Sequence, residues 1–145
     1  MLVTSHALVG AAIAKLIPNP YLGYPINLCS HFLLDLIPHW DFRTRKIIHS
    51  KTRTIAVSLS DAFIGFFLGW LIFKSQVTYA YLFPMMFIAQ LPDWLEAPFH
   101  ILNWSFPPFS TIKKLQSRLH HKLNLPWGLV LQILVVVLVV LIAKL

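Results

Sequence analysis

The chain has 145 residues, 57% hydrophobic and only 12% charged, against roughly 25% charged in soluble globular domains. This excludes an ordinary soluble domain and points to one membrane-embedded domain, residues 1–145. The net charge of +7 comes from 12 Lys and Arg against 5 Asp and Glu; the positives fall in two blocks beside apolar runs, which fits membrane topology better than nucleic-acid binding.

Thr4 or Ser5 caps a first helix that runs to Ile17, where Pro18 and Pro20 end it. It is short for a span, and Ala7, Gly10, Ala11 and Ala14 form a small-residue stripe suited to close helix packing. No Lys or Arg precedes its apolar run, so it does not read as a signal peptide. A second helix starts at Tyr21 or Pro25 and reaches Ile37, with Pro38 marking its end. Cys29 within it is a lone cysteine, read as a small apolar residue, so neither an intramolecular disulfide nor a thiolate zinc cluster is available.

Arg43 to Arg53 is a basic loop. Thr54–Phe73 is long enough to span and holds Asp61. After a Lys74-Ser75-Gln76 turn, a fourth helix runs from Val77 to about Leu91, with Pro92 interrupting it before Asp93, Glu96 and His100. A Pro/aromatic linker, NWSFPPFS, leads to a basic amphipathic helix from Ser110, TIKKLQSRLHHKL, whose apolar face is Ile112, Leu115, Leu119 and Leu123. Leu125–Ala143 is the cleanest span. The expected fold is all-α: a bundle of about four to five membrane helices plus one interfacial helix. With the basic blocks inside, the N-terminus is cytoplasmic and the C-terminus is outside. Trp40, Trp94, Trp104 and Trp127 fall near span ends, as an interfacial belt does.

On that topology His6, His31, Asp35, His39, Asp41, Asp61, Asp93, His120 and His121 gather toward one side of the membrane. An ionised Asp inside a membrane helix costs on the order of 2.5–3.5 kcal/mol, so Asp35, Asp61 and Asp93 need a compensating partner. Lys and Arg are nearly absent from the spans. A divalent cation satisfies several carboxylates and imidazoles at once, with zinc the first choice and manganese or iron the alternatives. His31 and Asp35, four residues apart, share a helix face. The candidate ligands are His6, His31, Asp35, Asp61, Asp93 and His120, the last favoured over His121, which points away from the apolar face. Asp41 and Glu96 are the candidate general bases. Lys113, Lys114 and Arg118 suit anionic headgroups.

The segments TSHALVGAAIA, SHFLLDLIPHWD, SLSDAFIGFFLG, LPDWLEAP and LHHKLNLPWGLVLQ together resemble the membrane-bound metal-dependent hydrolase family, the YdjM-like group, and small bacterial membrane proteins of the same pattern. In that resemblance His6 matches an early helical His. His31, Asp35, Pro38 and Asp41 match an H-x-x-x-D-x-x-P-D/H-x-D segment, and His49-Ser50 a later His-Ser pair. His39 stands where the family commonly has an acid, and no counterpart of its Arg-flanked His can be placed. The helical His/Asp pattern is more distantly similar to zinc-dependent phospholipase C and S1/P1-type nucleases. The resemblance implies a hydrolase of the bacterial cytoplasmic membrane acting on a lipid or nucleotide-like phosphoester. The competing readings are a structural or partner-binding bundle whose acids pair with imidazoles, and an ion conduit. The apolar outer half of the third helix, Phe66–Phe73, argues against the conduit.

Overall fold

The computed structural model describes residues 1–42 and 50–145. Arg43, Arg45, Lys46 and His49 lie outside the described residues, so the His of the His49-Ser50 pair and most of the first basic loop are not placed. Among the described residues the chain forms six helices: α1 (Val3–Leu16), α2 (Pro20–Asp35), α3 (Lys51–Phe73), α4 (Tyr79–Ile101), α5 (Phe109–Leu119) and α6 (Trp127–Lys144). No strand occurs among them; His39 and Lys122 form an isolated parallel bridge.

The small residues of α1 make it the hub. Ala7, Gly10, Ala11 and Ala14 are all buried, and α1 packs against α2, α3, α4 and α6. A Cβ on Gly10 would stand 2.7 Å from the Ala89 Cβ and 2.9 Å from the Met85 carbonyl oxygen of α4. On the other side, a Cβ on Gly65 of α3 would stand 2.8 Å from Ala7 Cβ. Backbones approach this closely only where side chains are absent or minimal.

The contacts fix direction. Tyr81 Oη, near the start of α4, donates to the Ile17 carbonyl just past the end of α1 at 2.7 Å. Lys144 Nζ, at the end of α6, donates to Ile72 at the end of α3. Asn27 and His31 of α2 reach the α4 carbonyls of Met85 and Ala89. Helices α1, α3 and α6 therefore run one way and α2 and α4 the other. The N-terminus of α1 and the C-terminal parts of α2 and α4 meet at one end of the bundle, and α5 lies against α2 and α4 there.

Two helices, α3 and α6, are long and apolar enough to cross a membrane. At 14 and 16 residues, α1 and α2 reach about 21 and 24 Å, short of a hydrocarbon core of about 30 Å.

Several expected boundaries shift. Helix α1 begins at Val3 with Leu2 at its N-cap, so neither Thr4 nor Ser5 caps it. Pro20 opens α2 rather than closing α1, with the Asn19 side chain accepting from the Tyr21 N–H. Helix α2 stops at Asp35, two residues short of the expectation. Pro92 does not interrupt α4, which continues through Pro84, Pro92 and Pro98 to Ile101, with the Asn27 and His31 side chains of α2 on its Met85 and Ala89 carbonyls. Asn103, in the left-handed region at φ 61, turns the chain away after α4. Helix α5 ends at Leu119, so His120 and His121 are not helical. Its buried residue is Gln116, while Leu115 of the expected apolar face is exposed.

Candidate metal centre

The side chains of His6 (α1), His31 and Asp35 (α2), Asp93 (α4), His39 (after α2) and His120 (after α5) converge at this end of the bundle. His6, His31, Asp35 and His39 are almost wholly buried. The helical spacing of His31 and Asp35 works as expected, with His31 Nε2 3.4 Å from Asp35 Oδ2. The same oxygen stands 3.4 Å from His120 Nε2, and Asp35 Oδ1 stands 3.3 Å from His6 Nε2 and 3.9 Å from His39 Nε2. His31 Nε2 lies 3.7 Å from Asp93 Oδ1.

His39 and His120 arrive through chain pairing rather than through helices. The His39 N–H donates to the His121 carbonyl at 3.0 Å, and the Leu123 N–H donates to the His39 carbonyl at 2.7 Å. This local strand-like geometry alternates side chains, turning His120 inward and leaving His121 exposed.

The separations carry chemical information. Hydrogen bonds of this kind run about 2.7–3.2 Å, and most of the contacts about Asp35 are longer. Ligands at about 2.0–2.2 Å from a tetrahedral ion stand about 3.4 Å from each other. The donor atoms fall into two groups, each within 4.8 Å: His6, His31 and Asp93, and Asp35, His39 and His120. Either group can hold a metal ion, and Asp35 reaches toward both.

Tautomers support this. His31 Nδ1 donates to the Ala89 carbonyl and His39 Nδ1 to the Ile37 carbonyl, each at 2.7 Å. Those bonds place a proton on Nδ1 and turn Nε2 toward the cluster, the orientation that metal-binding histidines also have. Burial pushes His39 down to about 4, so its imidazole is neutral near pH 7. Among the described residues, both ring nitrogens of His6, His39 Nε2, Asp35 Oδ2 and Asp93 Oδ2 are buried without a hydrogen-bond partner. Buried polar atoms are seldom left so.

Asp61 stands apart. Its carboxylate accepts from the Val3 N–H at 2.7 Å and from Thr4 Oγ1 at 2.6 Å, and it belongs to neither ligand group. It caps α1 from the side, satisfying a free N–H at the positive end of that helix. Asp41 pairs with Lys122 at 2.9 Å. Glu96 is bonded to His100, and Lys113 Nζ stands 3.1 Å from it. Asp41, Glu96, Asp61, Asp93 and His120 all line one cavity of about 180 Å³.

No protein-family model, curated protein or solved structure matches the chain.

Three participants fall outside the expected ligand set. His39 lies just beyond Pro38, where the expected second helix ends, in the same SHFLLDLIPHWDF segment as His31 and Asp35. The Gln116 amide lies 3.1 Å from His31 Nε2 and 3.0 Å from Asp93 Oδ1; its only sequence signal is a polar residue in a helix otherwise read as a lipid-surface element. The Met1 amino group also enters, 2.6 Å from Asp35 Oδ1.

Proposed function

We propose that the protein is a membrane-embedded, metal-dependent hydrolase of phosphoesters, working at the cytoplasmic side of a bacterial membrane. The observation that carries this reading is the set of imidazole lone pairs and carboxylate oxygens facing one another in a buried site. Two such atoms repel unless a proton or a metal cation lies between them, and their spacing suits ligands about an ion. Nitrogen and oxygen donors without thiolates favour zinc, with manganese or iron as the alternatives.

The metal, when bound, supplies a water of lowered pKa and neutralises charge on the phosphoryl oxygens. His6, His31 and Asp93 form one ligand group and Asp35, His39 and His120 the other. Asp41 and Glu96, on the wall of the adjoining cavity, are the carboxylates assigned to take the proton of the attacking water. In hydrolysis the water oxygen bonds to phosphorus, the P–O ester bond breaks, and the leaving alcohol receives a proton.

The membrane setting is supported by the exterior. Only 22% of each apolar window in α3 and α6 is buried, whereas a core helix of a soluble protein is mostly buried. Phe63, Phe67, Leu134 and Leu138 project outward from these helices, as lipid-facing residues do. Helices α1, α2 and α4 complete the four-to-five-helix bundle, and α5 lies at the anionic headgroup surface. The resemblance to the YdjM-like hydrolases fits the same reading.

A second reading has its own observation. Gln116 and the Met1 amine satisfy part of the cluster from within the protein, as a purely structural polar core would require. Metal analysis by plasma mass spectrometry of detergent-purified protein separates the two. Stoichiometric metal that is lost in Asp35→Asn is expected; a folded wild type that stays metal-free after supplementation leaves the structural reading.

A further inference from the structure

The cavity beside the cluster is chemically two-sided. Asp93 and His120 form its inner end. Ile55 and Leu59 of α3 face Trp94, Ala97 and Ile101 of α4 across the rest of it. Leu59 lines the cavity and is also 52% exposed on the outside of the bundle. The apolar wall is therefore continuous with the outer surface of a helix apolar enough to cross a membrane.

Depth points the same way. From Asp61, at the level of the cluster, to Phe73 at the far end of α3 is about 18 Å at 1.5 Å per residue. A hydrocarbon core is about 30 Å thick. With the far end of α3 at one boundary, the cluster and its cavity lie at the edge of the hydrocarbon layer, directly beneath α5, whose Gln116 touches them. A water-soluble substrate would have to reach that edge, whereas a lipid already has its head end there.

Size and polarity narrow the ligand. The cavity, about 180 Å³, is below the roughly 300–1,000 Å³ of sites that enclose a whole small molecule. It can hold a head end and the first carbons of a chain, with the remainder outside. Trp94 supplies part of this wall, with its ring stacked on Phe87. Lys122 and Lys113 pair with the wall residues Asp41 and Glu96 and offset their charge, and a metal ion at the adjoining cluster would supply the countercharge for an anionic head group.

Resting on the metal-hydrolase reading for its chemistry, we infer that this cavity takes the head end of a phosphate-bearing membrane lipid, admitted sideways between α3 and α4. The phosphate faces Asp93 and His120, and the chain runs out past Leu59 into the bilayer.

The test is photo-crosslinking in phosphatidylcholine vesicles containing a trace of phosphatidic acid with a diazirine near the head end of its chain, with attachment sites mapped by mass spectrometry. The expected attachments are on Ile55, Leu59, Ala97 and Ile101, competed by unlabelled phosphatidic acid and not by a nucleoside monophosphate. Ala97→Phe, which fills the cavity, should lower them at least tenfold while metal content stays at the wild-type level; Ser58→Phe on the opposite wall replaces it if that variant does not fold. Attachment confined to outward residues such as Phe63, Phe67 and Leu134, or unchanged in folded cavity-filled variants, overturns the proposal. Because the readout needs no turnover, the two readings fail separately. Bound metal without cavity attachment leaves a hydrolase of another substrate. Cavity attachment in a wild type that binds no metal supports the lipid site and removes the hydrolase.

Discussion

An imidazole with its Nδ1 proton tied to a carbonyl has one lone pair to offer, and two of the histidines about Asp35 are held this way. Asp35 is the residue on which both ligand groups depend, since its oxygens stand within 3.9 Å of four imidazoles. Asp35→Asn keeps the shape and removes the charge. It should lower metal affinity more than the roughly 10–100-fold expected of a supporting residue, whereas His121→Ala, on an exposed side chain, should leave metal content unchanged; metal analysis of the two variants in parallel checks this. His39 carries a pH signature. Its folded value of about 4 lies below the ordinary value of about 6.5. As pH falls through that interval the unfolded chain takes a proton that the native protein does not. Stability is therefore full above about pH 6.5 and declines toward pH 4. Thermal midpoints of metal-free protein in detergent should drop between about pH 7 and pH 5, and His39→Gln should reduce the drop. A midpoint independent of pH in wild type would contradict the buried, neutral imidazole.

At the scale of the element, the decisive feature is how closely α1 lies to its neighbours. Gly10→Leu would drive a side chain into Ala89 and the Met85 backbone, and overpacking of that kind costs about 1–3 kcal/mol or more. A lowered thermal midpoint with loss of the cluster geometry is expected, read by melting and by metal content together. Asp61 separates capping from ligation. Asp61→Ala should cost about 0.5–2 kcal/mol, the range for a lost helix cap, with bound metal retained; loss of metal in a folded variant would return Asp61 to the ligand set. Local pattern reveals only part of this. The spacing of His31 and Asp35 and the small residues of α1 are regularities within a single helix, so they could be read directly. An acid in an apolar helix signals a need for a partner but does not identify it, and for Asp61 the partner is the free end of another helix. His39 and Gln116 were obscured for the same reason. One is positioned by pairing with residues more than eighty positions away, and the other is buried by the polar cluster that its own helix covers. Pro92 looked like a break because the packing of α2 along α4, with Asn27 and His31 on the Met85 and Ala89 carbonyls, lies outside the local window.

Across the whole molecule, charge is divided between the two ends. Among the described residues, Lys51, Arg53, Lys113, Lys114, Arg118 and Lys122 belong to segments at the cluster end. Lys15, Lys74 and Lys144 lie at the opposite end, where Lys144 meets the backbone of Ile72. Positively charged loops stay in the cytoplasm, so on the proposed membrane reading this six-to-three division predicts a cluster that faces inward. The same expectation would put the cavity on the cytoplasmic half of the bilayer. Single cysteines in a Cys29→Ala background test it with a membrane-impermeant maleimide on intact spheroplasts. Ser75→Cys, in the turn between α3 and α4, should be labelled from outside. Ser117→Cys, on the exposed face of α5, should be labelled only after permeabilisation. The reverse pattern would invert the orientation and move the site to the outer face. Labelling of both from outside without permeabilisation would remove the crossing altogether. That result would reassign the apolar exterior to contacts other than lipid, and with it the route by which a lipid reaches the cavity.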